Sequence, residues 1–179
     1  MTTTTQPHSK EHSDPDWVSM LLNECDPDEH LHTIVRDAAK LFKAPIVMIN
    51  LLSAETVTFK ACIGQVAGDS LDRDGSFCDV ALSQDSTLNI VDASQDPQFK
   101  DFVLVTNELQ IRSYFGKALH APDGSRIGTL CVLDSKPRAY TSAESEVLSH
   151  FAEIAEAELR AILRKIPKGG TTPLLPSFA

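Results

Sequence analysis

Asp92, Asp96 and Asp101 stand four and five residues apart in one polar stretch, and clustered carboxylates are the groups through which hard cations bind. A calcium loop would add more oxygen ligands and a glycine bend, which this stretch lacks. The three carboxylates are therefore read as caps and braces of a loop. Arg112 follows them. Its guanidinium either pairs with that acidic loop or grips a ligand carboxylate or phosphate through two parallel hydrogen bonds, and the structural role is the preferred reading. Cys25, Cys62, Cys78 and Cys131 are widely separated and form no CxxC pair, which argues for reduced, mostly buried thiols rather than disulfides or a zinc site. A reactive thiol needs its pKa lowered by a nearby cation or helix N-terminus; Cys78, at a predicted helix start and preceded by Arg73, has both nearby in sequence. Tyr114 and Phe115 offer rings for stacking. Of the histidines only His120 ends a strand that could face a pocket, and it is read as a surface or packing residue. No Ser/His/Asp arrangement, Walker loop, HExxH helix or dinucleotide fingerprint occurs, so no catalytic residue, metal or cofactor is assigned.

The elements that must position these groups are legible from periodicity and turn chemistry. Asp14-Pro15 opens a short helix carrying Trp17, Val18, Leu21 and Leu22, too short to stand without packing. Asp26-Pro27-Asp28-Glu29 combines an N-cap, a first-turn proline and a capping-box glutamate ahead of Leu31, Ile34, Val35, Ala38, Leu41 and Phe42 at helical spacing, to about Lys43. Ile46 to Leu52 and Val57 to Ile63 form a strand pair, and residues 64–75 have loop composition. Phe77 to Ser83 is read as a short helix, Thr87 to Val91 as a third strand, and residues 92–110 as a long loop with a helical turn. Ile111 to His120 and Arg126 to Asp134 make a hairpin across Pro122-Asp123-Gly124. Thr141 and Glu144 form a second capping box and start a long helix with an apolar side of Val147, Leu148, Phe151, Ile154, Ala155, Leu159 and Ile162. Glu156 and Arg160 are spaced for an ion pair on its polar side. This order predicts an α+β fold with mostly antiparallel strands.

The 179 residues, 42% hydrophobic and 23% charged, suit one domain with a sizeable core. Residues 1–13 are read as a disordered tail, 14–165 as the domain and 166–179 as a flexible tail rich in Pro and Gly. A net charge of −9 repels nucleic acid and anionic lipid. Neither a secretory signal pattern nor an apolar run of spanning length occurs, and the location expected is cytoplasmic.

Ser76-Phe77-Cys78-Asp79, Val91-Asp92, Asp96-Pro97-Gln98-Phe99, Ile111-Arg112-Ser113-Tyr114-Phe115-Gly116 and Gly128-Thr129-Leu130-Cys131-Val132-Leu133-Asp134 occur in that order, and together they resemble the landmarks of the GAF family. The resemblance implies a central antiparallel sheet of five or six strands, terminal helices on one face, and loops and short helices closing a pocket on the other. It implies a non-catalytic regulatory or sensory module that binds a small metabolite or a protein partner in trans, and terminal helices that often dimerise. A ligand is then expected between the sheet and residues 64–110, with Phe77, Cys78, Asp92, Phe99, Arg112, Tyr114 and Phe115 lining or bracing the site, Arg112 as counter-ion and Tyr114 stacking or hydrogen bonding. Phe115 stands where the family usually has a small residue, so an open alternative has it fill the cavity. A second reading is a ligand-free scaffold dimerising through Trp17, Leu21, Leu148, Phe151 and Leu159. A third is a thiol enzyme centred on Cys78, similar to the free methionine-(R)-sulfoxide reductases, although the loop cysteine of that branch has no counterpart in residues 92–110. The cysteine–histidine pair of bilin-binding members and the Asn-Lys-x-Asp motif of cyclic-nucleotide members are both missing.

Overall fold

Ile46–Leu52 (β1) is buried at every position, and this explains why its sequence reads as an apolar run, interrupted only by Asn50, rather than an alternation: both of its faces lie against core. The computed structural model describes residues 16–23 and 29–166. The tails read at residues 1–13 and beyond Ile166, the Asp14-Pro15 start, Cys25 and the Asp26-Pro27-Asp28 cap lie outside the described residues.

β1 pairs with Thr56–Ile63 (β2) on one side and Arg126–Asp134 (β6) on the other. Ser70–Asp72 (β3) adds an edge to β2, while Ser113–His120 (β5) and Leu88–Ile90 (β4) extend the sheet beyond β6. The six strands lie in the order β3-β2-β1-β6-β5-β4, every neighbour antiparallel. Edge strand β3 falls within the stretch whose Gly and Asp content reads as loop. Only three residues long, it is held by pairing to β2 rather than by any propensity of its own.

Strand alternation divides the interior into two cores. Val47, Ile49, Leu51, Phe115, Leu119, Leu130 and Val132 face a helical layer made of Asp16–Asn23 (α1), Glu29–Phe42 (α2) and Ser142–Lys165 (α5). Met48, Leu52, Tyr114, Ala118, Cys131 and Leu133 face the other way, toward Phe77–Leu82 (α3), Val103–Thr106 (α4) and the loops between them. The helical layer is fixed by local chemistry. Thr141 Oγ1 accepts from Glu144 N at 3.2 Å and Thr141 N donates to Glu144 Oε2 at 2.8 Å, closing the capping box of α5.

Two expectations for this layer are corrected. The apolar residues assigned to a dimer seam are largely used within the chain: Leu21, Leu148 and Leu159 are buried in the helix-side core, Phe151 packs near Phe42, and the Trp17 indole donates to Asp123 Oδ2 at 2.9 Å. A sheet face this broad takes up most of the apolar stripe of α5, including Leu148, Ala155, Leu159 and Ile162. Glu156, in turn, directs its carboxylate not to Arg160 but to His120, accepting from the His120 backbone N–H at 2.8 Å and lying 2.9 Å from Nδ1.

Candidate functional site

The second face of the sheet supports a small chamber whose floor is Met48 and Asn50 of β1, Tyr114 of β5 and Leu133 of β6, whose roof is α3 with Phe102 and Leu104, and whose rim includes half-buried Phe59 and Leu71. Ser76 caps α3 by accepting from Asp79 N at 3.1 Å, which turns Phe77 and Cys78 downward into the chamber. Phe77 sits among three rings, 4.9 Å from Tyr114 and nearly parallel to it, 4.7 Å from Phe99 and 5.1 Å from Phe102. Such offset and edge-on contacts fill space efficiently. The remaining cavity is about 10 Å³, room for about one water molecule, whereas small-molecule pockets run to roughly 300 Å³ and above.

At the floor of the chamber lies a buried polar cluster. Asn50, fully buried, places Nδ2 at 3.3 Å from Cys78 Sγ, 3.4 Å from Cys131 Sγ and 3.5 Å from Thr129 Oγ1. The Tyr114 hydroxyl donates to Cys78 Sγ at 3.7 Å. Asn50 Oδ1 accepts no hydrogen bond. The Cys78 thiol is pulled down to about 7 by a hydrogen bond from Cys131 first, then against burial by those of Thr129, Tyr114 and Asn50. Cys131 moves the opposite way, raised by burial and by its hydrogen bond to Cys78.

Of the seven residues expected at the site, Phe77, Cys78 and Tyr114 line the chamber, and Phe99 stands behind Phe77. Asp92 braces the following loop instead, its Oδ1 accepting from Ser94 N at 3.1 Å and Ser94 Oγ at 2.7 Å. Arg112 donates to the carbonyls of Val105 and Ile111 at 3.2 and 3.1 Å, so it ties the loop to α4 through backbone oxygens rather than through the acidic side chains, and its counter-ion role is not supported by this arrangement. Phe115 is on the helix side, stacked on Tyr140 and edge-on to Phe42. It neither lines nor fills the chamber, because adjacent residues of a strand point to opposite faces. Arg73, the cation near Cys78 in sequence, donates to Asp79 Oδ1 at 2.7 Å and to the Ser53 carbonyl at 2.6 Å; the lowered Cys78 thiol owes itself to the buried cluster. Asn50 was invisible to motif reasoning, yet it carries a signal of its own as the one amide in an otherwise apolar strand. Asp96 accepts from Gln98 N at 2.9 Å, a turn role, and among the described residues no group of three or more His, Cys, Asp or Glu side chains is arranged to hold a metal ion. Nor, among them, is any helix long and apolar enough to cross a membrane.

Comparison with known proteins agrees with this architecture. The GAF domain family model matches residues 26–159. A cyclic di-GMP phosphodiesterase of Pseudomonas aeruginosa is 36% identical over 155 residues, covering 85% of this chain and 26% of that protein; the chain thus spans about a quarter of the length of that curated relative. Among solved structures, the free methionine-R-sulfoxide reductase of Neisseria meningitidis in complex with its substrate aligns with a TM-score of 0.66 at 19% identity, covering 85% of this chain and 89% of that one. The GAF domain of an Acinetobacter phosphoenolpyruvate-protein phosphotransferase aligns at 0.58 and 17% identity, covering 83% and 89%. At these identities the two structures share the fold alone.

Proposed function

The chain belongs to the GAF domain family, and on that premise we propose that it is a non-catalytic sensory module of a cytoplasmic signalling system, one that binds a small metabolite and acts on a partner in trans or through a homodimer. The observation that carries this reading is the chamber between the sheet and the α3–α4 roof. It combines apolar and aromatic walls with a few convergent polar groups at Asn50, Ser76, Cys78 and Tyr114, the composition of a small-molecule site. With about 10 Å³ free, binding requires the roof to lift or Phe77 to swing aside, so ligand entry and conformational change are one event. That coupling is what a sensor needs.

The test is native mass spectrometry of the protein purified gently from its own cytosol under reducing conditions, alongside Phe102→Ala, which widens the chamber from the roof. A reproducible small-molecule adduct whose occupancy changes in the variant supports the reading. Bare protein in both samples, with no chemical-shift change at Asn50 or Tyr114 across a metabolite library, overturns it.

The small cavity itself favours a second reading, a ligand-free interaction scaffold. Leu41 of α2 and Ile154 of α5 are 54% and 43% exposed and are apolar groups that the helical layer leaves for a second copy. A monomer at high concentration by light scattering would remove it.

A further inference from the structure

Cys78 and Cys131 come from different elements, α3 and β6, and converge on one amide, with Asn50 Nδ2 3.3 Å from one sulfur and 3.4 Å from the other. Core cysteines ordinarily behave as small hydrophobes and need no donors. Here the Cys78 sulfur receives hydrogen bonds from two buried side chains, Asn50 and Tyr114, an arrangement suited to a thiolate, since charged acceptors reward buried donors about twice as well as neutral ones. A second observation points to a visitor. Asn50 lines the same cavity, its Oδ1 is buried with no donor, and an orphaned acceptor of this kind is costly unless a small protic molecule reaches it. The room beside Asn50 suits a molecule about the size of water, and hydrogen peroxide is the smallest hydroperoxide able to enter with slight side-chain movement.

We propose that Cys78 and Cys131 form a peroxide-oxidisable dithiol, in which hydrogen peroxide held at Asn50 oxidises Cys78 and Cys131 then closes a Cys78–Cys131 disulfide. The Cys78 thiolate attacks one peroxide oxygen; an S–O bond forms, the O–O bond breaks, and the departing hydroxide takes the proton that Cys78 released and leaves as water. The sulfur of Cys131 then attacks the Cys78 sulfenic acid; an S–S bond forms, the S–O bond breaks, and a second water leaves with the Cys131 proton. Two thiols are oxidised and one peroxide is reduced to two waters. Cys78 Sγ receives hydrogen bonds from both Asn50 and Tyr114, whereas Cys131 Sγ receives one from Asn50, and this assigns the first as attacker and the second as resolver. The disulfide would pin the roof helix α3 to the floor strand β6 and so lock the chamber; this consequence rests on the metabolite reading above, whereas the oxidation itself needs no metabolite.

The experiment is exposure of the folded, fully reduced protein to hydrogen peroxide, followed by quenching, denaturing alkylation and peptide mapping by mass spectrometry. The expected result is a linked Cys78–Cys131 peptide, lighter by two hydrogens, with Cys62 still alkylated. Cys131→Ser should halt at a Cys78 sulfenic acid trapped by dimedone, and Cys78→Ser should leave Cys131 unoxidised, each variant first matched to the parent by circular dichroism. Cys78 and Cys131 both alkylatable after a peroxide dose that oxidises Cys62 would overturn the proposal, as would a linked peptide that forms only in urea. A metabolite adduct without this oxidation sinks the dithiol and keeps the pocket; oxidation without any adduct does the reverse.

Discussion

The ring of Phe115 lies 4.2 Å from that of Tyr140 and 5° from parallel, and the Arg138 guanidinium sits over the same tyrosine at 4.3 Å. Arg138 also donates to Glu144 Oε1 at 2.8 Å and to the Phe42 carbonyl. The two rings and the guanidinium therefore bind β5, the end of α2 and the start of α5 into one unit on the helix side of the sheet.

Phe115→Ala should accordingly cost about 3–5 kcal/mol of stability, the usual range for emptying a buried aromatic position, and should leave the chamber unchanged. Urea denaturation followed by a structure of the variant checks both parts. A chamber that grew would contradict the assignment of Phe115 to the helix side.

Gly116 faces the chamber side, and a methyl group there would collide with the phenol of Tyr114, itself fully buried. Gly116→Ala is expected to lose about 1–3 kcal/mol by overpacking and to push the Tyr114 hydroxyl off Cys78. Equilibrium unfolding reads the first effect and the pH titration of the Cys78 thiol, which should move up, reads the second.

The architecture was largely legible because its signals are local. Hairpin turns, the capping box at Thr141 and Glu144, and the helical spacing of α2 and α5 all act within a few residues, so the α+β order follows from them. Short edge strand β3 escaped because its stability comes from β2. The site was legible only in part. Phe77, Cys78 and Tyr114 were reachable from the motif resemblance, but placing Tyr114 and Phe115 together overlooked that neighbours along a strand diverge. Asp92 and Arg112, read foremost as structural residues and as ligand contacts only if a ligand binds, hydrogen bond to the loop and to α4. The dimer seam failed for a different reason: one apolar stripe cannot be assigned until it is known what the sheet requires.

Stability should depend on pH in a manner set by the dithiol. Cys78 is depressed from its ordinary 9.0 to about 7, so its contribution is fully present above pH 9 and is lost as pH falls through about 7. Cys131 is raised, so its contribution is complete below pH 9 and fades at higher pH. Denaturation midpoints are thus expected to climb between pH 7 and 9 and to turn over above that. In Cys78→Ala the climb should vanish, and a profile identical to the parent would refute the assignment.

The α5 cap provides an independent check. Backbone donation from Thr141, with side-chain bonds from Thr141 and Arg138, holds the Glu144 carboxyl below its ordinary value. Its contribution is present above pH 4.5 and is lost as pH falls through the lowered value. Thr141→Ala should cost about 0.5–2 kcal/mol at neutral pH, and Glu144→Gln should flatten the acid limb of a thermal-melt series.

The Trp17–Asp123 hydrogen bond has an optical consequence. The chain contains a single tryptophan, and that indole belongs to α1 while its partner sits in the turn between β5 and β6. Its emission is therefore a native gauge of α1 seating. No dye is required: a red shift would register the helix peeling away from the hairpin tip, while events confined to the far side of the sheet would leave the spectrum still.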